Sequence, residues 1–557
     1  MYHYLFKGKA RVALFFLLSC ASCVAGALFA LVMSAIVDCV GKTGKELLFT
    51  FLGSIVYVII YIVLGILYRF VRAAFLADAR YRLKNDIFTG IMNRSIADFD
   101  AANSAEYINE MSNNLGMFEA VYFENIITAF EVVVSFLAAA AVCLAIQPWM
   151  LVLMIALAFV TMGVTKFTTS PLEKSSQKFA ERFGEYTAEL SDDFGAFRLA
   201  HSFGILENIL NKHSQKNKQA EEAKRENANC QTVCGYIGSF VGLLSTVLVM
   251  ALAAYFSQKG MFSAGMIIAF GQLIGQIVSP ITMVPAVIAN FRAAKPLQER
   301  FQSLIEQKEE KGTEKITNLN DAVEFENVSF GYQKEKEVIH QLCVRLEAKK
   351  HYAIVGSSGS GKSTLLSLLL GYYPSYSGNI RFDRTELRNL RRDTLGELIG
   401  VVSQDTFLFN DSIRNNITLY QDNYTDEQVN EAIREAGLSQ LVASLPDGIS
   451  TVIDENGKNF SGGEKQRFSL ARVLLRNKKV LLFDEFTASM DEPTAKEIEG
   501  RLLTRGDCMI VTVTHRLNPE ILRRYDKILV LSQGRIVETG SYDELRKVNG
   551  YLKTLGE

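Results

Sequence analysis

The sequence predicts two domains of different class. An all-α domain of six membrane-crossing helices, with long helical extensions beyond the bilayer, covers residues 1–306. An α/β domain covers 320–557, and a linker at 307–319 joins the two. Three observations carry this. The apolar runs long enough to cross a ~30 Å hydrocarbon core all fall before about residue 300. Basic residues flank those runs on alternate sides. After residue 320 short, nearly all-apolar runs alternate with helical stretches, as strands buried on both faces of a parallel sheet do.

The first span, 12–37, contains no charge. A cleaved signal peptide is the competing reading. The run is longer than a signal core, however, and no small-x-small cleavage site followed by soluble sequence appears. The other spans are 47–68, about 125–146, 149–165, about 232–257 and about 262–288. The third and fourth form one apolar block, 132–165, too long for a single crossing. Gln147-Pro148 breaks it, because proline cannot continue a helix without losing a hydrogen bond. The third span then starts near Asn125 and carries Glu131.

Lys7, Lys9 and Arg11 precede span one; Arg69, Arg72, Arg80, Arg82 and Lys84 follow span two. Lys166, Lys174, Lys178 and Arg182 follow span four; Arg292, Lys295 and Arg300 follow span six. The alternate connections are short and nearly uncharged, which places both termini in the cytosol. The long connections, 69–124 and 166–230, lack the clustered Gly/Pro punctuation of loops. They predict helices continuing out of the membrane, turning at 98–103 and 200–204. The polar stretch 307–318 suits an exposed linker.

A net charge of −1, from 59 Lys+Arg against 60 Asp+Glu, gives no footprint for nucleic acid. The cysteines form no disulfide framework: Cys20, Cys23, Cys39 and Cys143 lie in or beside spans, and Cys343 and Cys508 in the cytosolic half. Cys230 and Cys234, four apart on a helix with no nearby histidine, read as packing thiols rather than a metal or redox pair.

In the second domain HYAIV (351–355), VLLF (480–483) and MIVTVT (509–514) are the predicted strands. Gly356-Ser357-Ser358-Gly359-Ser360-Gly361-Lys362-Ser363 follows the first and matches G-x-x-x-x-G-K-[ST]. A chance Gly/Ser turn is the bland reading; the strand before it and the apolar helix from Thr364 after it argue otherwise. Its glycines let backbone N–H groups wrap phosphates at a helix N-terminus. Lys362 reaches the β- and γ-phosphates, and Ser363 offers its hydroxyl to Mg2+. Asp484-Glu485 closes VLLF. In P-loop proteins an acid at the end of a neighbouring strand completes the Mg2+ sphere. That assigns Asp484 to the metal and Glu485 to the attacking water, against a plain acidic turn. His515 ends the MIVTVT strand, where it can donate to a γ-phosphate instead of serving structure alone. Gln404, between these motifs, can reach Mg2+ or water.

Ser461-Gly462-Gly463 opens a helix whose apolar positions are Phe468, Leu470, Ala471, Leu474 and Leu475. Stripped of side chains, such a start lets N–H groups approach a phosphate. Ser461 and Glu464 also form the capping-box pattern, which predicts that Glu464 turns back to its own helix start.

In content and order this motif set resembles an ATP-binding cassette (ABC) transporter of the exporter type, over essentially the whole chain. Six spans followed by one α/β P-loop nucleotide-binding domain is the half-transporter arrangement. The resemblance implies ATP and Mg2+ as cofactors. It implies Tyr332 as the adenine-stacking aromatic, Gly356 to Thr364 as the phosphate loop, Gln404 as the Q-loop, and Ser363, Gln404 and Asp484 as metal ligands. Glu485 and His515 become catalytic. Ala488-Ser489-Met490-Asp491 becomes the D-loop, with Asp491 at its end. Ser461, Gly462, Gly463 and Glu464 become the signature that contacts the ATP of a second subunit, so a second half-transporter, identical or a paralogue, is required. Thr451 to Gly457 resembles the X-loop, which meets coupling helices expected near 99–108 and 199–208. The chain departs from the usual pattern at Glu464 (Gln is usual), at Phe460 (Leu) and in the D-loop (SALD); none of these removes a catalytic group.

The implied function is ATP-driven transport, by expectation export, of a small molecule, peptide or lipid across the cell membrane. The alternatives are a siderophore or metallophore importer with the exporter fold, or a lipid flippase. Span one begins about ten residues in, which argues against a leader-cleaving peptidase domain. Glu131 is an intramembrane acid and so a candidate for a cationic substrate; solvation near the cytosolic headgroups is the competing reading. Cassette ATPases of DNA, translation or metal-cluster assembly lack spans in the same chain, and the six here exclude that class.

Overall fold

Long helices dominate the first half of the chain because nothing in the spans offers the backbone another partner. The computed structural model describes residues 1–40, 42, 44–100, 104–306, 312–333, 336–547 and 550–552. In order come α1 (Lys9–Asp38), α2 (Gly44–Met92), a short α3 (Ile96–Asp100), α4 (Ser104–Ile146), α5 (Pro148–Gly195), a short α6 (Phe197–Phe203), α7 (Leu206–Gln258) and α8 (Gly265–Glu306). Among the described residues the six long ones are apolar enough to cross a membrane. The 49 residues of α2 run about 74 Å at 1.5 Å each, more than twice the hydrocarbon thickness. The predicted extensions therefore exist. Two π-helical turns, Glu110–Asn114 and Glu119–Phe123, interrupt α4 before its span.

Gln147 is extended (φ −159°, ψ 107°) and Pro148 enters the first turn of α5, where its missing N–H is no loss. The helix of the sixth span begins at Gly265, close to the expected start near 262. Asp38, at the end of α1, caps this helix start, accepting from the Gly265 N–H (2.8 Å) and the Ser263 hydroxyl (2.6 Å). A carboxylate is favoured at a helix N-terminus. The short helices α3 and α6 occupy the expected turns but begin earlier than 99–108 and 199–208, and Gly204 ends α6 with φ +67°. Residues 101–103 lie outside the described residues.

The chain divides into two units: Met1–Asn93 with Asn103–Gln307, and Arg94–Ala102 with Lys308–Glu557. In the first, α1, α4, α5, α7 and α8 meet around Ala30, Ala139, Met154, Val249, Ala253, Ala269 and Phe270. Small residues there let the helices approach closely. Outside the span Arg300 clasps α4, its Nε donating to buried Glu110 (2.9 Å) and its Nη2 to Glu106 (2.7 Å).

The second unit holds ten strands among the described residues: β1 (Ala322–Phe330), β2 (Ile339–Glu347), β3 (His351–Val355), β4 (Ser377–Phe382), β5 (Thr385–Glu386), β6 (Ile399–Val402), β7 (Val480–Asp484), β8 (Met509–Val513), β9 (Lys527–Ser532) and β10 (Arg535–Gly540). An antiparallel sheet has the order β2-β1-β4-β5, and a larger one β10-β9-β3-β8-β7-β6. In the larger sheet only β10 is antiparallel to its neighbour. Every residue of β3 and β8 is buried, hence their continuous apolar runs. The expected linker meets the structure in two parts. Residues 307–311 lie outside the described residues. From Glu314 the chain is already folded: its N–H donates to Asn389 O and its carbonyl accepts from the Arg391 N–H, both at 2.9 Å. Ile316 and Leu319 are buried in the sheet core. The charge density of the stretch masked these two anchors.

Candidate nucleotide site

Because β3, β8 and β7 run parallel side by side, their carboxyl ends share one edge of the sheet. Ligands of open α/β sheets gather at that edge. One expectation needs correcting. The strand that ends in Asp484 is not the neighbour of β3; β8, which leads to His515, lies between them.

The loop after β3 enters α9 (Lys362–Leu369). A Cβ on Gly356 would lie 2.2 Å from the Leu531 carbonyl, so only glycine lets the loop pass. Ser357, Ser358 and Gly359 are exposed on the loop, and Gly361 at φ +103° turns it into the helix. Lys362 Nζ donates to the carbonyls of Gly356 (3.0 Å) and Ser357 (2.9 Å). Burial lowers its pKa, opposed by the charges of Glu485 and Asp484. Ser363 Oγ donates to Asp484 Oδ1 (3.3 Å). Burial pushes the Asp484 carboxyl up, and the Ser363 hydrogen bond offsets part of that. A hydroxyl beside a carboxylate is a hard-oxygen set of the kind Mg2+ takes. Ser360 Oγ is buried with no partner among the described residues, a polar group suited to a phosphate oxygen. The residues present fit a magnesium nucleotide.

Tyr332 is brought to this loop by its hydroxyl, 3.1 Å from Thr364 Oγ1. Its exposed ring stands edge-on to Phe330 and Tyr373, at centroid distances of 5.2 and 5.3 Å. Tyr373 was not singled out from sequence; the Tyr372-Tyr373 doublet after α9 was the available signal.

Glu485 has left-handed backbone geometry (φ +50°), a strained state that persists where the surroundings impose it. Its N–H donates to Val513 O (3.1 Å). His515 Nε2 lies 2.8 Å from Glu485 Oε1, and Gln404 Nε2 donates to Oε2 at 3.3 Å. The structure thus gathers Gln404, Glu485 and His515 around one carboxylate.

The signature helix is α10 (Gly462–Leu475). The predicted capping box forms: Ser461 Oγ accepts from the Glu464 N–H (3.3 Å), and Glu464 Oε2 accepts from the Ser461 N–H (2.7 Å) and hydroxyl (2.8 Å). Glu464 faces its own helix start. Buried Phe460 sits 5.2 Å from the Phe468 ring, which accounts for an aromatic there. Gly463 has a second reason to be glycine: a Cβ would lie 2.7 Å from Ser489 O. Asp491 caps α11 (Glu492–Leu502), accepting from the Thr494 N–H (3.0 Å), and that bond holds its carboxyl below the usual range. Arg516, missed from sequence despite following His515, donates to Met490 O (2.6 Å) and pins this turn. In the 451–457 loop Val452 pairs with Ser412, and Val452 itself is exposed. Segment Arg94–Ala102 belongs to this unit; burial pushes the Tyr372 and Tyr373 hydroxyls up, and the charge of Asp100 adds to it.

Residues 12–281 match the family model described as ABC transporter transmembrane region, and 339–488 that described as ABC transporter. The Bacillus subtilis putative multidrug export ATP-binding/permease protein YgaD is 27% identical over 85% of this chain and 83% of its own length. The ATP-dependent lipid A-core flippase of Haemophilus influenzae is 32% identical over 69% of this chain and 66% of its own length. A solved bacterial Atm1-family ABC exporter with ATP bound superposes with a TM-score of 0.83 at 24% identity, covering 98% of each chain, a likeness of fold. The chain belongs to the ABC transporter family, as an exporter-type chain with fused membrane and cassette domains, and is a multi-pass membrane protein.

Proposed function

We propose that this chain is one half of a dimeric ATP-driven transporter that exports a small molecule, peptide or lipid across the cell membrane, with its termini and cassette in the cytosol. What carries the reading is the convergence of Lys362, Ser363, Asp484, Glu485 and His515 at one sheet edge, in a chain with six membrane helices. Lys362 and the loop amides bind the β- and γ-phosphates, and Tyr332 takes the adenine. Ser363, Asp484 and Gln404 hold Mg2+, which when bound neutralises charge on the phosphates. Glu485 takes a proton from the attacking water, and His515, paired with that carboxylate through Nε2 in this structure, turns this N–H to the γ-phosphate when ATP is bound. Residues 461–463 of a second half, identical or a paralogue, complete the site across the dimer. Closure draws on α3 and α6 to move the spans.

The test is Glu485→Gln in proteoliposomes. ATP binding is retained and turnover falls at least ~100-fold, the scale of a lost general base. Undiminished hydrolysis in that variant overturns the assignment. Uptake of substrate into inside-out vesicles fixes the direction.

A further inference from the structure

A cavity of about 440 Å³ lies within the membrane-spanning unit, walled by α1, α2, α4 and α8. Its volume falls in the range of small-molecule sites. Ser19 of α1, Tyr68 of α2, Glu131 of α4 and Gln276 of α8 line it, and all four lie within the expected spans. Tyr68 donates its hydroxyl to Glu131 Oε1. A carboxylate offers about four acceptor positions, so this bond leaves most of its capacity. Gln276 spends its Nε2 on the Gly26 carbonyl (3.0 Å). Gln276 Oε1 and Ser19 Oγ, the latter on a residue only 1% exposed, are buried with no partner among the described residues.

Unpaired acceptors beside an acid are costly in a bilayer and mark functional sites. None of the described residues lining the cavity is basic. An adjoining cavity shares Tyr68 and Glu131 and carries Arg69, Arg72 and Arg80; Arg72 and Arg80 pair with Glu124 and Glu119, and Arg69 lies one residue past the expected span. The carboxylate therefore disfavours an anion in this cavity, whose own donors are neutral hydroxyls such as those of Ser22, Ser135 and Tyr61.

We propose that this cavity binds an organic cation with a protonated amine, held by Glu131 with Gln276 Oε1 and Ser19 Oγ as further acceptors. An ammonium has three N–H donors and no acceptor, the complement of this lining, and a charge-assisted bond to the carboxylate is the strongest available. The inference deepens the transport reading and rests on it, since it names the substrate class.

The full-length chain in phosphatidylcholine nanodiscs is titrated, without nucleotide, with dansylcadaverine and with its N-acetyl derivative, which has nearly the same size but no charge. Signal from empty nanodiscs is subtracted. The amine binds saturably and at least tenfold tighter than the acetylated probe. Glu131→Gln reduces that preference below threefold, and Gln276→Leu weakens amine binding several-fold. Equal binding of the two probes to the wild-type chain overturns the proposal without any variant, as does a preference that survives Glu131→Gln. Because the titration uses no nucleotide, its failure leaves the ATPase reading standing; hydrolysis that persists in Glu485→Gln strikes that reading alone.

Discussion

Glu464→Gln is expected to change ATP hydrolysis by less than tenfold, although it removes a charge from the signature. Glu464 Oε2 accepts two hydrogen bonds from Ser461, at 2.7 and 2.8 Å. A glutamine carbonyl accepts the same two. What is lost is the charge-assisted part of those bonds and the favourable position of an anion at a helix start, together about 1–2 kcal/mol. That loss falls on the helix start in ground and transition states alike, so little of it reaches the barrier, where tenfold corresponds to about 1.4 kcal/mol. The opposite geometry makes an opposite prediction. A carboxylate aimed at a γ-phosphate from ~5 Å would repel it by about 3 kcal/mol at an effective dielectric of 20. Removing it would then tighten ATP or speed turnover more than about a hundredfold. Steady-state kcat and KM for ATP in nanodiscs separate the two. A gain of that size refutes the capping geometry as the role of Glu464.

Three further outcomes follow from the same site. His515→Ala frees the carboxylate that His515 holds at 2.8 Å, so kcat falls by ~10²–10³ while KM for ATP moves little, read by single-turnover hydrolysis. Gly463→Ala sets a methyl 2.7 Å from Ser489 O; the helix start shifts and hydrolysis drops at least ~tenfold, while the chain's own phosphate loop still binds a fluorescent ATP analogue. Asp484→Asn abolishes hydrolysis and changes stability with pH. Burial raises the folded pKa of Asp484, so its contribution is fully present below about 3.9 and lost as pH rises through the raised value. In calorimetry without nucleotide or Mg2+, the asparagine variant therefore loses less stability than wild type on going from pH 4 to pH 7.

Features set by neighbours in the chain were readable in advance. The strand 351–355 has the bounds of its apolar run, because burial on both faces leaves no alternation to blur it. The turn at Gln147-Pro148 and the Ser461–Glu464 box each rest on residues within four positions of one another. The loop around Lys362 is equally local, since its glycines answer to backbone geometry at their own positions.

Features set by residues far apart in the chain were not readable in advance. The start of the sixth long helix is capped by a carboxylate 227 residues away. β8 sits between β3 and β7 by strand order, which no local run encodes. Gly463 was assigned to a phosphate, yet its close packing is against Ser489 O of the same chain. These two demands are compatible: a glycine packed on the D-loop still bares its N–H. Packing ties the two turns together, so a displacement of residues 488–491 is felt at the signature. Arg516, one residue past His515, holds the same turn through Met490 O at 2.6 Å. The edge that carries Glu485 and His515 is thus linked by packing, through Arg516, Met490 and Ser489, to the start of α10.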